Sequence, residues 1–245
     1  MTSKSNLMTA LKLSAPKALM MAGAAGLALA AAVPALAQPG TAGGAIIHDA
    51  PQGVPNMSGK WINAKPMSAL SAAAPLNAAG KKAYAENKAD KAKGKDPINE
   101  CLMHGEPRLL FTKYPFLIMQ YGKHVDFLHA ANHTFRITYF GEKLDPEADP
   151  TWLGHPTAKW EGKTLVIFSN QFNGLTWLDY TGLPHGEKLT TEERYTLSAD
   201  GKTIAGTVKI TDPEFYSKPW SAPFTLTKQP GVSLEQYACM ADHKM

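Results

Sequence analysis

A chain of 245 residues is long enough for one well-buried domain, even after an N-terminal export signal is set aside. Its formal charge of +4 is carried mostly by that signal. Three of the 25 Lys and Arg, and none of the 21 Asp and Glu, fall within residues 1–37, leaving 22 basic against 21 acidic residues. A body so close to neutrality gives no electrostatic reason to expect nucleic acid or an acidic membrane surface as partner.

Residues 1–37 read as an export signal. Lys4, Lys12 and Lys17 precede an apolar run from Ala18 to Val33, and Ala35-Leu36-Ala37 forms a small-x-small cleavage site before Gln38. The run is rich in Ala and Gly and short for a membrane span, so cleavage and no stable membrane insertion are expected. No cysteine follows the apolar run, which argues against a lipid anchor. The expected location is periplasmic or secreted. In such an oxidising compartment the only two cysteines, Cys101 and Cys239, read as a disulfide fastening the start of the body to the tail. A link closing so long a loop contributes about 4–5 kcal/mol on the chain-entropy estimate.

Residues 38–56, with Pro39, Pro51 and Pro55, read as an extended arm, and 57–245 as a single domain. Met57 to Asn63 is a first short strand carrying Trp61. Its Gly59-Lys60-Trp61 resembles the Gly-x-Trp opening strand of lipocalin-type barrels, in which the Trp closes one end. Residues 75–93 are rich in Ala and Lys without a β-branched residue, which predicts one helix. Its apolar face is thin (Leu76, Ala79, Ala83, with Tyr84 alongside), so it should lie on the surface with its lysines solvated.

From Pro107 the period changes to two. Leu109–Phe111, Phe116–Tyr121, His124–Ala131 and His133–Phe140 read as short strands. A polar loop follows through Asp145 and Pro150. Gly162-Lys163 joins a hairpin of Thr157–Glu161 and Thr164–Ser169, and Ala199 to Lys202 joins another of Lys188–Ser198 and Thr203–Thr211. Phe224–Lys228 is the last strand. About ten strands in consecutive hairpins predict an all-β fold, an antiparallel up-and-down barrel or half-barrel with one N-terminal surface helix, since closure disposes of the sheet edges.

Alternation sorts side chains by face. Leu189, Thr191, Glu193, Tyr195 and Leu197 share the core face of one strand, with Arg194 on the other. A carboxylate in that wall needs an arginine or a turn of backbone amides as partner; otherwise it is poised for general acid–base work. His129 shares an apolar face with Val125 and Phe127, and His133 shares one with Phe135, Ile137 and Tyr139. A single histidine so placed is commonly a hydrogen-bonded core residue; two could also meet a ligand.

The stretch from Trp152 to Tyr195 is the densest in aromatic and polar residues. Trp160, Leu165, Ile167 and Tyr195 are assigned to packing. His155, in Gly-His-Pro, and His185, in Pro-His-Gly, sit in loops at strand ends, where barrel mouths hold their polar groups. His155, Asp179, His185 and Glu193 are therefore the candidate catalytic set, and could also form a mixed nitrogen and oxygen metal shell, though without tight ligand spacing. His129, His133, Trp152, Trp177 and Arg194 are the candidate ligand contacts. No Gly-x-Ser-x-Gly elbow, phosphate-binding Gly loop, dinucleotide fingerprint or haem attachment motif is present, so no cofactor is assigned.

Several segments together have a family resemblance. These are Asp96-Pro97, Cys101, Gly105-Glu106-Pro107-Arg108, Trp152 to His155, Trp160 to Val166, Phe172-Asn173, Trp177 to Asp179, Pro184-His185, Glu193 to Tyr195, Asp212-Pro213, Tyr216, Pro219-Trp220 and Glu235 to Cys239. The pattern resembles a large group of exported bacterial β-rich proteins of unknown function. The resemblance implies a β-rich fold, export and the cysteine pair, but no reaction. Ser often follows the histidine matching His185 in that group; Gly186 stands there in this chain.

Two functional readings follow. One is an exported β-barrel that binds a small apolar or aromatic molecule in a pocket lined by Trp, His and acidic residues. The alternative is an acid–base enzyme (lyase, isomerase, dehydratase or hydrolase) using His155, Asp179, His185 and Glu193, metal-assisted or not.

Overall fold

The computed structural model describes residues 52–67, 70, 74–235 and 239. The signal of 1–37 and most of the arm of 38–56 lie outside the described residues. Nine strands close into a barrel: β1 (Gly59–Asn63), β2 (Phe116–Gln120), β3 (His124–His129), β4 (Phe135–Phe140), β5 (His155–Glu161), β6 (Thr164–Asn170), β7 (Thr190–Leu197), β8 (Thr203–Thr211) and β9 (Trp220–Lys228). Each pairs with the next, and β9 pairs with β1, so the all-β barrel expected from the alternation is present.

Two details differ from the expected meander. Leu109–Phe111 is not a strand but part of a 3-10 turn, Arg108–Phe111, whose four side chains are all buried. Strand alternation would send about half of these side chains to the opposite face of the wall, whereas a tight turn packed on the core carries all four inward. The second is that β4 and β5 pair in parallel, through Tyr139 with Thr157 and Phe140 with Ala158. The connection between them, residues 141–154, is long enough to carry the chain back across the barrel end, as a parallel pair requires.

The wall is filled in the ordinary alternating way from β7 to β9, and β6 adds Leu165 and Ile167 to the same interior. Leu165, Ile167, Tyr195, Ile204, Val208, Ile210, Phe224 and Leu226 point inward and are buried. Gly206 on β8 lies where a Cβ would stand 2.2 Å from the Phe224 ring, so the absent side chain makes room for that ring against Tyr195. On β1, Trp61 is fully buried, donates its indole N–H to the Met57 carbonyl at 2.8 Å and lies under the Lys228 ammonium.

The helix α1 (Ala78–Ala92) lies outside the wall. Asn77 caps it, accepting from the Gly80 amide at 2.9 Å. It is tied down by polar contacts: Tyr84 Oη donates to Thr181 at 3.1 Å, Asn87 to the Gly182 carbonyl at 2.9 Å, and Lys91 to the Tyr180 carbonyl. Only Gly80 on this helix is buried, as the thin apolar face predicts. A disulfide joins Cys101 to Cys239. Among the described residues, no helix is long and apolar enough to cross a membrane.

Candidate functional site

Strand β4 is turned the unexpected way. Phe135, Ile137 and Tyr139 face out, 47%, 40% and 44% exposed, while Thr134, Arg136 and Thr138 face in and are buried. His133 is exposed and precedes the strand, so the expectation that it shares an inward apolar face is corrected. The physical reason lies across the barrel. Glu193 on β7 points inward as expected, and a buried carboxylate needs a partner; Arg136 is the side chain that reaches it.

The two form a two-pronged ion pair. Arg136 Nη1 donates to Glu193 Oε2 at 3.1 Å and Nη2 to Oε1 at 2.9 Å, with a further bond from Nη2 to Ser169 Oγ at 2.9 Å. Tyr195 donates its hydroxyl to Glu193 Oε2 at 2.5 Å. A second carboxyl, Glu106, approaches Arg136 Nη1 at 3.4 Å and His129 Nε2 at 3.8 Å. It enters from the segment following Cys101, seated by Gly105 at φ +69°, where a Cβ would meet Thr176 and the Trp152 carbonyl. His129 stacks on Phe116 at 4.8 Å. Glu106, His129, Arg136 and Glu193 are all within 2% of complete burial.

This cluster is only partly satisfied. Neither Glu106 carboxyl oxygen, neither His129 ring nitrogen, nor Arg136 Nε has a hydrogen-bond partner among the described residues. Burial pushes the Glu106 carboxyl up to about 8, with Arg136 pulling it down and Glu193 raising it further. Burial, then the Arg136 charge, lowers His129 to about 3, so its ring is neutral. For Arg136, burial acts to lower its pKa, and the charges of Glu193 and Glu106 more than offset that, keeping it a cation. Tyr195 is held well above its ordinary value by burial and by Glu193.

A second ion pair lies nearby. Arg108 donates to both Asp96 oxygens at 2.9 and 2.6 Å and lies over the rings of Tyr180 and Trp177, at 4.5 and 5.8 Å. Trp177 is thus buried packing for a guanidinium. His104, lowered to about 4 by burial and then by Arg108, stands edge-on to Tyr180.

The other candidate residues occupy separate places. Asp179 is buried and gathers backbone, accepting from the amides of Leu70, Thr181 and Leu183 and from the Thr181 hydroxyl. His185 is buried edge-on to Phe172, with Nδ1 facing the Gly186 carbonyl at 3.3 Å, and burial lowers it to about 4. His155 meets the Asp149 carbonyl at 2.9 Å beside the polar loop. No hydrogen bond or ion pair joins any two of His155, Asp179, His185 and Glu193 among the described residues. Nor do three His, Cys, Asp or Glu side chains there converge as a metal shell would require. Arg194 faces out, paired with Glu161 at 2.5 Å and Glu192 at 3.2 Å.

Trp152 lines a cleft. It is half-buried, and with Met103, Phe135, Ile137, Leu153 and Pro156 it surrounds a space of about 260 Å³ where β4 and β5 part, with Arg136 and Gly154 at its border. A larger hollow of about 420 Å³ lies outside β5–β7, but Glu142, Lys159 and Glu192 line it and make it a solvated surface. Sequence reasoning missed Glu106, Arg108 and Arg136 as site residues. Arg136 was visible as the middle of the alternating set Thr134, Arg136 and Thr138; Glu106 and Arg108 carried no local signal beyond their place in the family pattern. No family model matches the chain, and no curated protein does either.

Proposed function

We propose that this is an exported β-barrel protein that binds a small apolar or aromatic molecule in the cleft between β4 and residues 151–156. The observation that carries the reading is the outward row of Phe135 and Ile137 meeting Trp152, Leu153 and Pro156 around one hollow. Apolar side chains converging on a concave surface are the usual lining of such sites. The cleft is free of exposed charge, which favours an uncharged ligand. The signal-like N-terminus, the joined cysteines and the resemblance to exported β-rich proteins support export. The test is titration of the protein with small aromatic compounds, followed by tryptophan fluorescence. Saturable quenching that Trp152→Leu and Ile137→Lys both abolish supports the reading; no saturable binding by any compound overturns it.

A second reading rests on one observation, the buried carboxyl of Glu106 that approaches Arg136 at 3.4 Å without a hydrogen bond, with burial raising its pKa. In that reading acid–base chemistry passes from His155, Asp179 and His185 to Glu106, working with Glu193. Turnover that Glu106→Gln removes while ligand binding survives would establish it.

A further inference from the structure

The cleft has a polar edge hidden in its apolar lining, and it comes from one proline. In the ladder between β3 and β4, His129 donates to the Thr134 carbonyl and Phe140 to the Lys123 carbonyl. With the register pairing Phe127 with Arg136 and Val125 with Thr138, the even-numbered residues of β4 spend their backbone groups on β3. The odd ones, Phe135, Ile137 and Tyr139, therefore turn theirs toward β5. Tyr139 finds a partner there, because the parallel ladder runs through Tyr139, Phe140 and the bond from the Gly141 amide to the Ala158 carbonyl.

One step earlier the ladder fails. The same spacing would have the residue at position 156 donate to the Ile137 carbonyl, and Pro156 has no N–H. Gly154, at φ +65°, then turns the chain off the strand direction. Thr151 instead pairs with the chain just beyond β6, its amide bonded to the Gln171 carbonyl and the Asn173 amide to its own carbonyl. The register turns the N–H and C=O groups of Phe135 and Ile137 toward the cleft, and the pairing of β4 with β5 stops short of them, at Tyr139. Their side chains stand out beside it, alternating in the period of a strand.

Resting on the proposed cleft, we propose that its ligand is a short extended peptide with apolar side chains, seated as an added strand on the open edge of β4. An apolar compound without amides would fill the hollow but offer these backbone groups no partner. A peptide in extended form presents donors and acceptors at the spacing of the Phe135 and Ile137 groups, and about three residues span that length at strand rise. The mostly apolar lining, whose one charged member, Arg136, is buried and paired with Glu193, selects apolar side chains, and Trp152 and Leu153 form the far wall against which one of them packs. Pro156 holds the edge open by denying it a partner from the protein itself.

The test uses acetyl-Leu-Ser-Leu-amide and its ester analogue, in which oxygen replaces the middle amide N–H, titrated against the whole protein. The peptide should bind, the ester at least tenfold more weakly, and the Ile137 amide should exchange its hydrogen more slowly in the complex. Pro156→Ala, which supplies the missing donor, should weaken peptide binding several-fold without loss of fold. Ile137→Lys, at an exposed position, should abolish it. Equal binding of peptide and ester, or binding indifferent to Ile137→Lys, overturns the inference. Small aromatic compounds that bind at Trp152 while the peptide does not bind would sink the peptide and leave the cleft standing. Failure of both would sink both.

Discussion

Strands β4 and β7 face each other through the barrel interior and handle the same pattern in opposite ways. Each alternates a set of apolar or aromatic residues with a set of polar ones. In β7 the set containing Tyr195 goes in and Arg194 stays out; in β4 the set containing Tyr139 goes out and Arg136 goes in. Alternation says which side chains share a face, but not which face is the interior. A long-range polar requirement decided it here. Glu193 on β7 is buried, and turning β4 brings it a cation at the expense of exposing three large side chains.

Breaking the pair directly should have the largest effect. Arg136→Ala leaves Glu193 buried without its cation, and urea unfolding should report a loss of about 3–5 kcal/mol. If the loss is small, the ion pair is not what turns β4. The same truncation made on the two strands is the sharper comparison. Tyr195→Ala should cost about 3 kcal/mol or more, since it opens a fully buried space and removes a bond to Glu193, whereas Tyr139→Ala should cost well under 1 kcal/mol.

The pH dependence of stability separates the histidines from Glu106. His104, His129 and His185 have folded values of about 4, 3 and 4 against an ordinary 6.5. Below 6.5 the unfolded chain takes up protons that the folded chain refuses, so stability is lost as pH falls from 6.5 toward 3. Glu106 acts in the other sense. Its folded value of about 8 lies above an ordinary 4.5, so between those two pH values the folded chain holds a proton that the unfolded chain has released, and stability declines as pH rises. Thermal melts should therefore peak near pH 6.5, and Glu106→Gln should remove the decline between 6.5 and 8 while leaving the acid limb in place. An unchanged alkaline limb in that variant would assign the decline to another group. The smallest effect should come from Ile137→Lys, within about 0.5 kcal/mol of the parent, because the site is already half in water.

Much of the fold was legible from local chemistry. The helix could be read from its Ala and Lys, the hairpins at Gly162 and Gly201 from their turn residues, and the inward face of β7 from its period of two. The parallel pairing of β4 with β5 had a readable signal in the long polar connection between them, since a hairpin needs only a short turn. The candidate site was less legible. His155, Asp179, His185 and Glu193 lie close in sequence, yet each is held by different neighbours, since His155 begins β5, Glu193 lies inside β7, and Asp179 and His185 are in the chain between β6 and β7.

The sequence by itself determined the kinds of element, the near-neutral body and the pairing of its only two cysteines, all of which follow from residue types and their spacing along the chain. Tertiary structure alone decided what lies beside Glu193. Arg136 and Glu106 come from 57 and 87 residues away, and Glu106 does not touch Glu193 directly but shares its arginine. The burial of one charge on β7 thus chose the face of β4. That choice, together with the missing amide of Pro156, opened the edge where the barrel is proposed to bind.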